Sequence, residues 1–205
     1  MGRTTTRTAP RKRVPRAERE QQILEAAEAV FAARGVKAAS MEEIAERVGV
    51  TKPLLYEYFG SKDGLVVACI RRARAELLER TWEAVEPAET AEERMRLGVL
   101  AFFDFIADHA AAWAVVRGEA AILGEAVAAV EEVRSQQTDY VAGVLASYPE
   151  LTDAEPSRLH GYADVIVGAC ERLALRLETE PDLDAQGATD LVMDVIWSGL
   201  AVLAE

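Results

Sequence analysis

Three glycines divide residues 23–65 into short segments, and each segment has the apolar spacing of an amphipathic helix. Gly35, Gly49 and Gly60 stand where one segment ends and the next begins, which is where a glycine most often stops a helix. Helix, glycine-containing turn and helix is the pattern of a helix-turn-helix motif. A three-helix bundle with a tight corner has the same spacing, so the pattern alone leaves that alternative open.

Residues that favour the start of a helix follow these breaks. Ser40 with Glu43 three residues later predicts a capping box. Thr51 is a good N-cap, and Pro53 costs little in the first turn because the first N–H groups of a helix have no partner within it. Ser61 predicts the N-cap of a fourth, longer helix. The segment that begins at Thr51 is therefore predicted to be as short as a groove-reading helix must be.

Charge is divided unevenly along the chain. The net charge is −12, yet residues 1–80 hold 16 Lys and Arg against 11 Asp and Glu, whereas residues 81–205 hold 7 against 24. This asymmetry favours a basic part that meets a polyanion and an acidic part that is repelled by it. Residues 1–16 form a basic arm without acids, and its cations are Arg3, Arg7, Arg11, Lys12, Arg13 and Arg16. The arm is either a solvated, disordered tail or a segment that binds phosphates or enters a minor groove.

Polar side chains lie on the side of the third helix that is predicted to be exposed. Thr51, Lys52 and Tyr56 carry groups that hydrogen-bond phosphates or base edges. Lys62 stands in the first turn of the fourth helix, where the helix dipole disfavours a cation. A phosphate close by would offset that penalty, so Lys62 is predicted to face an external anion.

The stretch MEEIAERVGVTKPLLYEYFGSKDGL at 41–65, preceded by ILEAAEAVFAARG at 23–35, resembles the TetR family of bacterial transcriptional regulators. The resemblance implies a recognition helix that begins at residues 51–53. It also implies phosphate contacts from Tyr56 and Lys62 and a backbone contact from Ser40. The predicted DNA-binding residues are Ser40, Thr51, Lys52, Pro53, Tyr56 and Lys62.

The remainder of the chain is predicted to be helical. Thr90 and Glu93 predict a capping box for a helix rich in Phe, and a short helix is expected around Trp113. A longer helix is predicted over 125–148, because Pro149 follows it. Thr152 or Asp153 is predicted to cap the next helix, which Pro181 ends, and a final apolar helix begins near Ala188.

The last two helices are more apolar than ordinary surface helices. They either complete the core of one chain or, as the resemblance implies, pair with their copies in a four-helix dimer interface, which we favour. Two copies related by a two-fold axis read a palindrome whose half-sites are about 34 Å apart. The predicted interface residues are Ile166, Cys170, Leu173, Leu191, Val195 and Gly199.

The resemblance places a sensing pocket among the middle helices. Pockets combine apolar walls with a few polar groups, and the candidates are Phe102, Phe105, Trp113, Arg117, Tyr140, His160, Tyr162 and Asp164. Each has an alternative role in the core or on the surface. Arg117 is the best polar candidate, since it either binds an anionic ligand or pairs with Glu119, Asp164 or another acid.

Several classes of protein are disfavoured. Cys69 and Cys170 are too few and too far apart for a disulfide framework or a metal site, and two histidines make a histidine-rich metal centre improbable. GxSxG, HExxH and phosphate-binding loop motifs are missing, so we expect neither an enzyme nor a bound cofactor. No apolar run reaches the ~18 residues of a membrane span, and no signal-peptide core begins the sequence. We therefore expect no membrane partner and a cytoplasmic location.

The sequence thus predicts an all-α protein with three parts. A basic arm at 1–16 precedes a three-helix helix-turn-helix domain at 17–63, and a larger helical ligand-binding and dimerisation domain follows at 64–205. The predicted function is a TetR-type regulator, a repressor that binds a palindromic operator as a homodimer and is released by a small-molecule effector. The alternatives are a ligand-responsive activator and a helical protein-interaction module.

Overall fold

The computed structural model describes residues 14–110, 113 and 124–202 of the chain. Within these ranges the regular elements are α-helices and a short 3-10 turn at Pro149–Leu151, which confirms the predicted all-α class. The α-helices that we label are α1 (Arg16–Ala38), α2 (Met41–Val48), α3 (Lys52–Phe59), α4 (Lys62–Val85), α5 (Ala91–Asp108), α6 (Gly124–Ala146), α7 (Pro156–Leu177) and α8 (Ala185–Val202).

The three predicted glycine breaks are confirmed, and each glycine has a positive φ. Gly35 has φ 73° and interrupts α1 three residues before its end, Gly49 has φ 73° after α2, and Gly60 has φ 72° after α3. A side chain disfavours this left-handed φ, whereas glycine adopts it freely. The sequence therefore turns at each of these points, which brings α1, α2 and α3 together.

The first three helices share a core with the first half of α4. Ile23 of α1, Ile44 of α2, Leu55 of α3 and Leu65 of α4 are all fully buried. Farther along, α4 packs against α5 and α6. The predicted domain boundary after residue 63 thus falls in the first turn of a helix that packs with both parts, and it stays a prediction.

The later helices surround a cavity. α4 packs on α5 and α6 packs on α7, while α8 lies against α5 and α7. The capping box at the start of α5 is confirmed. The Thr90 hydroxyl accepts from the Glu93 N–H at 3.1 Å, and the Glu93 carboxylate accepts from the Thr90 N–H at 3.2 Å.

The predicted cap of α7 is wrong. Neither Thr152 nor Asp153 caps the helix, which begins at Pro156 with Glu155 at the N-cap position and no side-chain cap. The Thr152 hydroxyl instead donates to the carbonyl of Tyr148 at 2.8 Å, beside the 3-10 turn. Proline suits a first helical position because its φ is already fixed near the helical value.

Two sequence predictions fall largely outside the described residues. The first is the short helix expected around Trp113, of which Trp113 itself is described and is helical and buried. Residues 1–13 of the basic arm also lie outside, while Arg16, its last residue, is already the first residue of α1. Among the described helices, none is both long and apolar enough to cross a bilayer.

Candidate nucleic-acid interface and cavity

The third helix lies at the surface and is anchored by one side chain. Leu55 is the buried residue of α3, whereas Tyr56 is 42% exposed. Thr51 occupies the N-cap position with an extended backbone, but its hydroxyl makes no capping hydrogen bond. Pro53 lies in the first turn, as predicted. The exposed hydroxyls of Thr51 and Tyr56 are therefore available to an external partner.

An ion pair joins α2 to α3. The Lys52 ammonium donates to the Glu42 carboxylate, which holds the pKa of Glu42 below its usual range and raises the pKa of Lys52. Lys52 Nζ also lies 6.0 Å from the centroid of the Tyr56 ring. Lys52 thus keeps its charge, and a phosphate that binds it competes with Glu42.

Lys62 has a partner within the chain. Its ammonium donates to the carbonyls of Lys37 at 3.1 Å and Ala39 at 2.7 Å. These carbonyls lie at the C-terminal end of α1, where the helix dipole favours a cation. The reason we gave for an external anion is therefore wrong, because α1 itself stabilises the charge. Two of three ammonium protons are used, and a phosphate contact by the third stays a prediction.

The predicted capping box at α2 is only half formed. The Ser40 hydroxyl accepts from the Glu43 N–H at 3.1 Å. The Glu43 carboxylate accepts instead from Arg34 Nε at 3.0 Å, because the end of α1 brings that guanidinium within reach. Ser40 is half-buried at the N-terminus of α2, and its contact with the DNA backbone stays a prediction.

A cavity lies between α4, α5, α6 and α7. Its empty volume, counted with the part open to solvent, is about 670 Å³. Most of its wall is apolar and includes Leu77, Met95, Phe102, Val144 and Ile166. Its polar groups come from Thr81, Arg94, Gln137, Tyr140 and Cys170. The space and its lining suit an apolar ligand with a polar end.

Two predicted ligand residues line this cavity, namely Phe102 and Tyr140. Burial raises the pKa of Tyr140, and the positive charge of Arg94 opposes that shift. Trp113 lies behind the wall, with its ring edge-on to Phe102 at 5.5 Å between centroids. Arg117 lies outside the described residues.

The other predicted ligand residues lie elsewhere. Phe105 is buried and stacks on His109 at 4.8 Å. His160 is exposed and lies 3.1 Å from Asp139, Tyr162 accepts from Arg158, and Asp164 accepts from Thr138 at 3.0 Å. These side chains are correctly placed on helices, but their faces turn away from the cavity.

Sequence reasoning missed Arg94, Gln137 and Thr81. Arg94 precedes Gly98 by four residues and Phe102 by eight, so all three share one face of α5. That spacing identifies Arg94 as a residue of the cavity wall once Phe102 is known to lie in the wall.

Burial raises the pKa of Cys170 to about 12, so its thiol is a neutral part of the same wall.

The predicted dimer residues divide into two groups. Ile166 and Cys170 of α7 are buried and line the cavity, so they do not belong to an outer face. Leu191 is 44% exposed and Val195 is 74% exposed on α8. Leu173 is half-buried, and Gly199 is exposed. We misplaced residues 166 and 170 because the sequence of a helix that is apolar on every side does not show which face packs against the core of its own chain.

The described part of the chain has short helices separated by glycines with positive φ, an exposed α3 and a cavity in the larger helical part. These features define a helix-turn-helix regulator. The family of bacterial regulatory proteins called the tetR family matches residues 23–69, and the tetracyclin repressor-like C-terminal domain matches residues 91–199. The chain belongs to the TetR family. It is a DNA-binding transcriptional regulator and not an enzyme.

Two sequence relatives and a solved structure are similar to this chain. The HTH-type transcriptional activator FasR of Mycolicibacterium smegmatis is 31% identical over 189 residues, which are 92% of this chain and 86% of FasR. The fatty acid metabolism regulator protein of Bacillus subtilis is 29% identical over 89 residues, 43% of this chain and 46% of that protein. A TetR-like regulator from Rhodococcus sp. RHA1 is 34% identical, with a TM-score of 0.76 over 92% of this chain and 99% of that chain.

Proposed function

We propose that the protein binds a palindromic operator as a homodimer and that a small molecule in the cavity controls this binding. The observation that carries the proposal is the course of α4. This helix begins with Lys62, which holds the end of α1, and continues to Leu77 and Thr81 in the cavity wall. A ligand that contacts the wall therefore acts on the same rigid helix that supports the DNA-binding part.

Exposed apolar residues on the last two helices support the homodimer. Leu191 and Val195 are four residues apart and share one face of α8. On α7, Gly161, Val165 and Gly168 share an exposed face, and a Cβ at either glycine would meet no atom within 4 Å. Apolar side chains exposed in one chain gain free energy when a second copy covers them. Small residues between them allow two helix backbones to approach closely.

The lining of the cavity supports a ligand with an apolar chain and an anionic end. The apolar wall excludes a strongly polar molecule, because burying unpaired polar groups is costly. Arg94 is exposed and lies within electrostatic reach of the half-buried Tyr140, so the two mark a polar end of the cavity. A fatty acid, with its carboxylate, has this chemistry. The name of the Bacillus subtilis relative, a fatty acid metabolism regulator protein, agrees with this choice.

The ligand controls DNA binding only if its affinity differs between two forms of the dimer. A ligand releases DNA only if it binds more tightly to a dimer whose two α3 helices no longer fit successive major grooves. With the operator across a promoter, such a protein is a repressor. FasR, which matches nearly the whole chain, is named as an activator, and this favours activation as a second candidate. An operator upstream of the promoter together with lower transcription on deletion of the gene would identify an activator.

Arg94→Gln tests the ligand. The probe is oleic acid, added to the protein bound to an operator selected from genomic fragments. We expect the variant to need at least tenfold more ligand for release, with unchanged operator affinity, because a charge-assisted contact is lost. Arg96→Gln is the matched control, since Arg96 lies on the same helix but pairs with Asp190 outside the cavity. Equal response of wild type and Arg94→Gln would contradict the anionic ligand.

A further inference from the structure

An ion pair at the surface spans the turn between α2 and α3. The Lys52 ammonium donates to the Glu42 carboxylate, and the side chains of Lys52 and Glu42 are 41% and 60% exposed. Ion pairs this accessible to water contribute little to folding stability, because water solvates both charges well. The turn has a backbone bond of its own, from the Val50 N–H to the Ala45 carbonyl at 2.9 Å. The ion pair therefore adds little to the junction of the two helices.

The same pair lies on the part of the chain that the family uses to bind DNA. Lys52 is the first residue of α3 and follows Thr51, whose hydroxyl makes no capping bond. Lys52 Nζ lies 6.0 Å from the centroid of the exposed Tyr56 ring, so an acid, a cation and an aromatic ring meet at one point. A carboxylate at this point repels phosphates and neutralises the nearest cation. It lowers affinity for every duplex, so a benefit must lie in discrimination between duplexes.

We propose that Glu42 is a specificity-determining residue of the DNA interface, which keeps Lys52 off the phosphates and directs it at a guanine in the major groove. A lysine has a long, flexible stem and readily finds a phosphate, which carries no sequence information. An ammonium has three protons, and Glu42 accepts one of them. The remaining two match the acceptors N7 and O6 of guanine. The inference rests on DNA binding by the family, and on neither the dimer nor the ligand.

Two other roles for Glu42 make different predictions. If the pair only fastened α3 to α2, its loss would weaken binding to every duplex alike. If the Glu42 carboxylate itself accepted a proton from cytosine N4, its effect would not depend on Lys52. The structure favours action through Lys52, because the carboxylate already accepts from that ammonium.

Glu42→Gln tests the discrimination. The probes are a duplex that the wild type has selected from random sequence and an unselected duplex of the same length, each titrated at several salt concentrations. We expect affinity for the unselected duplex to rise by about threefold to fivefold at low salt, because a nearby like charge is removed. Its slope of log affinity against log salt should steepen by about 0.9, since Lys52 gains a phosphate. The ratio of selected to unselected affinity should fall.

Glu46→Gln is the matched control. Glu46 lies four residues later on α2, is also exposed, and forms no ion pair with any described residue. The change removes the same charge from the same helix. We expect the affinity ratio and the salt slope to stay near those of wild type.

A double-mutant cycle tests whether Glu42 acts through Lys52. In a Lys52→Met background, Glu42→Gln should have no more effect than Glu46→Gln has in the wild type. Substitution of each base pair of the selected duplex measures the base preference. We expect Lys52→Met to lose a preference of about fivefold or more for guanine at one position. Glu42→Gln should weaken the preference at that same position.

The other outcomes overturn the inference. Glu42→Gln and Glu46→Gln proteins with equal ratios and slopes would show that the ion pair does not affect discrimination. An effect of Glu42→Gln that persisted in full without Lys52 would assign the base contact to Glu42 itself. Equal losses on both duplexes would leave the pair as a fastening between α2 and α3. A wild-type protein that selected no duplex would instead overturn the operator-binding function.

Discussion

At the scale of single residues, Glu28 is a charged side chain buried in the described core. It is only 7% exposed, and one of its carboxylate oxygens has no hydrogen-bond partner among the described residues. Burial raises its pKa to about 7, against the lowering effect of Arg72, which lies 3.6 Å away. Glu76 and Glu25 raise it further. The carboxyl group therefore binds a proton near neutral pH.

The raised pKa predicts stability that falls as pH increases. Between pH 4.5 and 7 the unfolded chain has lost this proton while the folded chain keeps it, so the free energy of unfolding decreases across that range and levels off above it. We expect Glu28→Gln to raise the free energy of unfolding by about 2 kcal/mol at pH 8, less than the full shift implies because the change also removes the carboxylate that pairs with Arg72. Urea unfolding at pH 5.5 and pH 8 measures the effect.

Glu25→Gln is the control for this prediction. Glu25 also pairs with Arg72, at 3.7 Å, but its side chain is 53% exposed. We expect its removal to reduce the pH dependence between 5.5 and 8 only slightly, because Glu25 makes the smallest of the four contributions to the pKa of Glu28. A Glu28→Gln protein with the pH dependence of wild type would show that Glu28 is ionised in the folded state throughout this range.

Lys62 is predicted to act twice, once within the fold and once on DNA. Lys62→Met keeps most of the aliphatic stem but removes the bonds to the carbonyls of Lys37 and Ala39. We expect the free energy of unfolding to fall by about 1 kcal/mol, as for the loss of a partly exposed charged hydrogen bond. If the third proton binds a phosphate, the salt slope of DNA affinity falls by about 0.9. Lower stability with an unchanged salt slope would show that Lys62 stabilises the end of α1 and does not bind a phosphate.

At the scale of elements, the glycine turns were predictable because their cause is local. Gly35, Gly49 and Gly60 each need a positive φ, and glycine is the residue that supplies it without strain. The start of α7 was not predictable in this way, because several possible cap residues compete there. The Thr152 hydroxyl bonds to a carbonyl beside the 3-10 turn that precedes the helix. Local signals identify a helix end well when one residue decides it, and poorly when alternatives of similar free energy follow each other.

Gly49→Ala measures how much free energy a side chain costs at a turn with positive φ. Its φ is +73°, and an added Cβ would meet no atom within 4 Å, so the cost is backbone strain alone. We expect the free energy of unfolding to fall by about 1–2 kcal/mol, with weaker DNA binding because α3 follows this turn. Gly143→Ala is the matched control, since its Cβ also meets open space but lies within α6. That change should raise stability by up to about 1 kcal/mol, and equal losses in both variants would contradict the strain.

At the scale of the whole molecule, the sequence predicted which helices form the larger part but not which faces meet. Phe102 and Tyr140, which we expected in a sensing pocket, line the cavity, and so does Arg94, which was not among the expected residues. Ile166 was expected at a dimer interface and lines the cavity instead. The direction in which a helix turns its apolar face depends on the helices packed around it, which lie far away in sequence. That information is absent from local spacing.

The exposed face of α8 gives the last prediction. Val195 is 74% exposed, and an arginine there would be solvated in a single chain but buried beside its copy in the proposed dimer. We expect Val195→Arg to sediment as a monomer and to lose at least 100-fold in affinity for a two-half-site operator, while its helical content is retained. Trp82→Arg is the control, because Trp82 is 69% exposed on α4, away from α8. A Val195→Arg protein that remained dimeric would remove α8 from the interface, and dissociation of the Trp82→Arg protein as well would assign the interface to α4.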